Sequence, residues 1–102
     1  MQQLTRSQAK YLRGLAHSLK PVVFVGRKGI SAAVLESLHA ALDSHELIKV
    51  KFVDFKDRRL KAACVAEVEH KTGSCRVGVI GHTAIFYRRP PDPEKRKITL
   101  PG

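Results

Sequence analysis

A chain of 102 residues with 43% hydrophobic content can fill one two-layer core, which leaves little for a second domain and disfavours a large enclosed catalytic cavity. Nineteen Lys+Arg stand against nine Asp+Glu, a formal net charge of +10, and no apolar run approaches the ~20 residues that span a bilayer. Met1-Gln2-Gln3-Leu4 lacks the cationic lead, apolar stretch and small-residue cleavage site of a secretory leader, so a cytoplasmic protein is expected.

The charge is unevenly spread. Arg6, Lys10, Arg13, Lys20, Arg27 and Lys28 all precede the first acid, Glu36. Residues 36–54 are nearly balanced. Cations return at Lys56, Arg58, Arg59 and Lys61, and again from Arg88 to Lys97. Such a surplus on one domain is the footprint of a polyanion binder, with nucleic acid favoured over an anionic membrane or an acidic protein.

In chain order, Thr5-Arg6-Ser7-Gln8 fits a capping box, and Ala9, Leu12, Leu15, Ala16 and Leu19 follow at helical spacing. Arg6, Lys10, Arg13 and His17 form a second, cationic stripe of that helix, which Pro21 ends. Val22 to Val25 is a continuous β-branched and aromatic run, expected to be a strand buried on both faces. After Gly26-Arg27-Lys28-Gly29, Ser31 caps a second helix that buries Val34, Leu35, Leu38, Ala41 and Leu42. Ile48, Val50 and Phe52 alternate with Lys49 and Lys51 in a half-exposed strand. Asp57 caps a third helix with the buried line Leu60, Cys64, Val65 and Val68, and Gly73 stops it. Two last strands, Arg76–Ile80 and Ala84–Tyr87, form a hairpin about Gly81-His82-Thr83. The order α-β-α-β-α-β-β requires crossovers, so the expected fold is a compact single α/β domain with a four-stranded mixed sheet packed with helices. Residues 90–102, proline-rich and basic, are expected to form a flexible tail.

Gly26-Arg27-Lys28-Gly29 is the leading candidate for chemistry. It lies between a strand and a helix N-terminus, where free N–H groups and the helix dipole favour a phosphate. The glycines allow a backbone to approach, and Arg27 and Lys28 add two cations; KH domains clamp a nucleic-acid backbone with a Gly-x-x-Gly loop in a related way. The same spacing recurs in Gly78-Val79-Ile80-Gly81, but inside a strand and with apolar middle residues, where a structural role suffices.

Several segments together resemble one family. They are Leu4-Thr5, Tyr11-Leu12-Arg13, His17, Leu19-Lys20-Pro21, the Gly26–Gly29 loop, Ser44 to Lys51 (SHELIKVK) and Val79 to Arg88 (VIGHTAIFYR). The family is the CRM domain, for chloroplast RNA splicing and ribosome maturation, in its stand-alone bacterial YhbY-like form. The resemblance covers residues 4 to 100, and residues 1–98 are read as the domain itself. It implies a fold similar to the C-terminal domain of translation initiation factor three. It also implies RNA binding without catalysis, with the precursor of the large ribosomal subunit as partner. The family's loop glycines map onto Gly26 and Gly29. Where relatives often have Gly-Lys-Thr in the hairpin, this chain has Gly81-His82-Thr83, and the loss of a permanent cation weakens a phosphate contact there.

The candidate RNA contacts are therefore Gly26, Arg27, Lys28 and Gly29, flanked by Arg6, Lys10 and Arg13 on the first helix, Lys49 and Lys51 on the second strand, and Arg88 after the last. For Lys49 and Lys51, and for the first-helix stripe, a solvated face is the alternative. Lys56, Arg58, Arg59 and Lys61 read as a solvated helix start, with phosphate contact by Arg58 and Arg59 as the alternative, and Tyr87 reads as a partly buried strand residue, with base stacking beside Arg88 as the alternative. Cys64, His70, Cys75 and His82 lack the short spacings of metal-ligand pairs, and the cysteines are too few for a disulfide scaffold. The chain has no Gly-x-Ser-x-Gly elbow and no P-loop spacing. No metal, cofactor, membrane or small-molecule substrate is expected, and the protein is expected to be a monomer. The rival readings are a ribosome-associated adaptor whose basic faces serve acidic proteins, and a DNA binder, for which no helix-turn-helix signature is present.

Overall fold

A computed structural model describes residues 3–102. Helix α1 (Arg6–Ala16) starts with the expected capping box: Thr5 Oγ1 accepts from the Gln8 N–H at 3.1 Å, and Gln8 Oε1 accepts from the Thr5 N–H at 3.0 Å. Helix α2 (Ala32–His45) is capped by Ser31, whose Oγ accepts from the Val34 N–H at 3.2 Å. Helix α3 (Arg58–Thr72) is capped by Asp57 through the Arg59 N–H at 2.8 Å and stops at Gly73, whose φ of 68° places it in the left-handed region.

Strands β1 (Pro21–Val25), β2 (Leu47–Phe52), β3 (Cys75–Ile80) and β4 (Thr83–Tyr87) form one mixed sheet in the order β1-β2-β4-β3. β1 runs parallel to β2, while β4 is antiparallel to both of its neighbours. Alternation along the strands then makes two faces. One carries Val23, Val25, Ile48, Val50, Phe52 and Phe86 against Leu38 and Leu42 of α2 and Val65 and Val68 of α3. The other carries Leu47, Val77, Ile85 and Tyr87 against Leu12 and Ala16 of α1.

Three expectations are corrected. β1 is not buried on both faces: it is an edge strand, with Val22 47% and Phe24 58% exposed. Two helices lie on one face, but α1 is only 11 residues, about 16 Å of helix, and it covers the second face over β2, β4 and β3 only. Leu60 is not in the buried line of α3 and is 62% exposed. The stripe facing the sheet runs through Val65, Val68 and Thr72, and Leu60 is turned away from it. Tyr87 is fully rather than partly buried.

The tail also returns to the domain. Pro93–Lys95 form a 3-10 turn, the Arg96 guanidinium donates to the carbonyls of Pro90 and Pro91, and the Lys97 N–H donates to the buried carboxylate of Glu46. Ile98 and Leu100 pack against the cluster under α1, and Gln8 Nε2 donates to the Pro101 carbonyl at 3.1 Å. The two apolar side chains gain burial by docking, which composition alone, dominated by proline and charge, does not reveal.

Burial, and next the carboxylate of Glu46, push the Tyr87 hydroxyl above its ordinary pKa, against the pull of Arg89 and Arg96. A raised folded-state pKa means that the neutral form stabilises the fold below the ordinary tyrosine value near 10, and that this contribution is lost as pH rises through the folded value. Tyr87→Phe is therefore expected to flatten the alkaline limb of the stability curve above about pH 10, as read by urea midpoints across pH. An unchanged limb would assign the alkaline loss to other groups.

Candidate nucleic-acid interface

The Gly26–Gly29 loop leaves β1 as a tight turn, with the Gly29 N–H donating to the Gly26 carbonyl at 3.0 Å. Gly29 has φ +76°, which a side chain rarely adopts, and a Cβ there would point at Cys64 Sγ of α3 4.0 Å away. The loop is thus seated on α3 while Arg27 and Lys28 stand out of it, exposed and without a hydrogen bond or ion pair to any described residue. The first-turn N–H groups of α2 not taken by Ser31 add the positive end of the helix dipole.

Other segments converge on the same end of the sheet. The Val53 N–H donates to the Val25 carbonyl at 2.7 Å, which ties the exit of β2 to that of β1. The Phe52 N–H donates to the His82 carbonyl at 2.7 Å, and Lys61 Nζ donates to the Gly81 carbonyl at 2.8 Å, so the hairpin and the start of α3 join them. Exposed Lys56, Arg58 and Arg59 therefore belong to the end of the molecule that bears Arg27 and Lys28. From the sequence they read as a solvated helix start; their proximity to the loop depends on parallel pairing of β1 with β2, which no local pattern specifies.

The remaining candidates divide. Lys51 is exposed on the face of the sheet that α1 leaves open and has no partner among the described residues. Lys49 shares that face but is half-buried, its Nζ donating to the Leu19 carbonyl at 3.0 Å. Arg6 and Lys10 are exposed on α1. Arg13 lies across β3, where its Nη1 donates to the Val77 carbonyl at 3.2 Å and its Cδ comes within 3.1 Å of where a Cβ of Gly78 would be. The second Gly-x-x-Gly is thus structural: Gly78 makes room for an arginine stem.

Arg88 does not join the loop. It follows β4 at the opposite end of the sheet, with its side chain 19% exposed. Its guanidinium donates to His39 Nδ1 and the Thr72 carbonyl, each at 2.8 Å, and to Asp43 Oδ1 at 2.7 Å. A guanidinium so engaged is a clamp between α2, α3 and β4. Among the described residues no group of three or more His, Cys, Asp and Glu could hold a metal, and no helix is long and apolar enough to cross a membrane.

The sequence pattern that defines the CRS1 / YhbY (CRM) domain matches residues 4–88. The chain is 41% identical over 101 residues to a protein of Haemophilus influenzae named "RNA-binding protein", covering 99% of this chain and 98% of that one. It is 31% identical over 98 residues to "Probable RNA-binding protein YqeI" of Bacillus subtilis, covering 96% and 99% of the two chains. Its fold superposes on the solution structure of the Staphylococcus aureus protein SAV1595 with a TM-score of 0.78 at 32% identity, over 97% of this chain and all of that one.

Proposed function

The chain belongs to the CRS1 / YhbY (CRM) domain family, and from that premise we propose that it binds structured RNA without catalysis and joins the precursor of the large ribosomal subunit during assembly in the cytoplasm. One observation carries this reading. α1 and all four strands contain no acidic residue, and the nine acids fall on α2, α3, the turns and the C-terminal segment. The loop with its two unengaged cations, exposed Lys51, and the outer side of α1 therefore present positive charge with little to compensate it. Arg27 and Lys28 contact phosphate, Gly26 and Gly29 admit the backbone, and Lys51, Arg6 and Lys10 extend the cationic field.

Sedimentation of cell extract through sucrose at low and high salt tests this. Wild type should travel with large-subunit precursor particles at low salt and leave them at high salt, because bound phosphates release counterions. The folded Arg27→Ala/Lys28→Ala variant should shift to the top of the gradient. With purified RNA, the same variant should lower the slope of log affinity against log salt by about 1.5, the loss of two phosphate contacts. Wild type at the top of the gradient even at low salt would sink the ribosomal assignment, and an unchanged slope would remove the loop from the interface.

A further inference from the structure

The half of the sheet that α1 leaves open has a specific composition. The strand registers align Phe24 of β1 with Lys51 of β2, Lys51 with Thr83 of β4, and Thr83 with Ile80 of β3. These four residues form one row across the sheet, about 14 Å long at three strand spacings. Phe24 is 58% and Ile80 68% exposed, Lys51 is exposed and Thr83 half-buried. Behind the row lies a shallow hollow of about 180 Å³ lined by Pro21, Lys49, Ile80, Thr83 and Ile85.

An exposed phenylalanine ring in the middle of an edge strand has no use for the core, because Val23 and Val25, its neighbours on either side, supply the buried contacts. Its surroundings decide what suits it. The elements that build this face are free of acids, Lys51 stands beside it, and Arg27 and Lys28 begin three residues further along the same chain. A flat aromatic surface flanked by cations on an open sheet matches single-stranded nucleic acid, which offers bases for stacking and phosphates for pairing. An acidic protein would match the cations but gain nothing particular from the ring.

We propose that this open sheet face is a stacking platform for single-stranded RNA: a base stacks on Phe24, its neighbour enters the hollow beside Ile80, and the flanking phosphates lie on Lys51 and on Arg27 and Lys28. This rests on the RNA-binding reading and deepens it, because the loop by itself grips a backbone and does not distinguish paired from unpaired strands. The platform does, since a duplex keeps its bases stacked on one another.

The test uses the purified full chain with two fluorescein-labelled probes, an oligouridylate of about ten nucleotides and a blunt RNA duplex of similar length. Phe24→Ala should weaken oligouridylate binding about tenfold, leave duplex binding and the salt slope unchanged, and Phe24→Tyr should restore most of the loss. Because Phe24 is exposed, both variants should keep the wild-type urea midpoint. The chain has no tryptophan, so the emission of Phe24→Trp reports this position alone and should be quenched when oligouridylate stacks on it. Unchanged oligouridylate affinity in Phe24→Ala, equal losses on both probes, or unquenched emission would each overturn the platform. Failure of wild type to bind either probe would instead overturn the RNA-binding reading beneath it.

Discussion

Arg88→Ala is expected to destabilise the domain by about 3 kcal/mol, a fall in Tm on the order of 15 °C, while leaving RNA affinity unchanged in the protein that remains folded. The ion pair with Asp43 contributes little of this, because the Asp43 side chain is 75% exposed and solvent screens it. The larger part comes from acceptors that lose a charged donor together: the Thr72 carbonyl in the last turn of α3, and the carbonyl and Nδ1 of His39 on α2. Arginine can only donate, so His39 accepts at Nδ1 and carries its proton on Nε2. A single ammonium does not reproduce the fork, and Arg88→Lys should recover less than half of the loss. Calorimetry gives the first quantity, and RNA titration well below the variant's Tm gives the second. A stable variant with weakened RNA binding would return Arg88 to the interface.

Phe52→Ala should cost about 4 kcal/mol. The ring is 2% exposed and meets Phe55 edge-on, with centroids 5.6 Å apart and planes at 89°. Its removal leaves a cavity in the cluster between the sheet and α2 and α3, and it also strips Phe55 of its edge-on ring partner. Against a typical domain stability of about 5–15 kcal/mol, a loss of this size brings the protein close to its unfolding threshold. Phe52→Leu, which keeps most of the volume, should cost about 1.5 kcal/mol. In urea the midpoint should fall with the m-value unchanged. A loss in Phe52→Ala no larger than that in Phe52→Leu would mean that the site collapses onto the missing ring.

The element order and the helix caps at Thr5, Ser31 and Asp57 were legible in the sequence because caps are local: a side chain satisfies an N–H two or three residues on. The Gly26–Gly29 turn was legible for the same reason. Burial was harder to read. Val22 to Val25 has the composition of a central strand, yet β1 sits at an edge, and nothing within five residues states how many neighbours a strand will have. Leu60 and Leu100 show the two directions of the same difficulty. An apolar residue in a helix was left outside by a rotation, and one in a proline-rich tail was taken inside by docking.

What the sequence determined by itself is the sum and the local chemistry: a net charge of +10, an N-terminal third without an acid, a cationic glycine turn before a helix, and the order of elements. The tertiary structure decided which cations are free and which are engaged. Arg27, Lys28 and Lys51 remain open, whereas Lys49, Arg13 and Arg88 are drawn onto carbonyls of the α1–β1 connection, β3 and α3. It also turned a hydrophobic strand residue, Phe24, into a surface aromatic. The physical reason is range. Capping and turn geometry act over a few residues, while burial and the partners of long cationic side chains depend on strand order and on how far an 11-residue helix reaches across a four-stranded sheet.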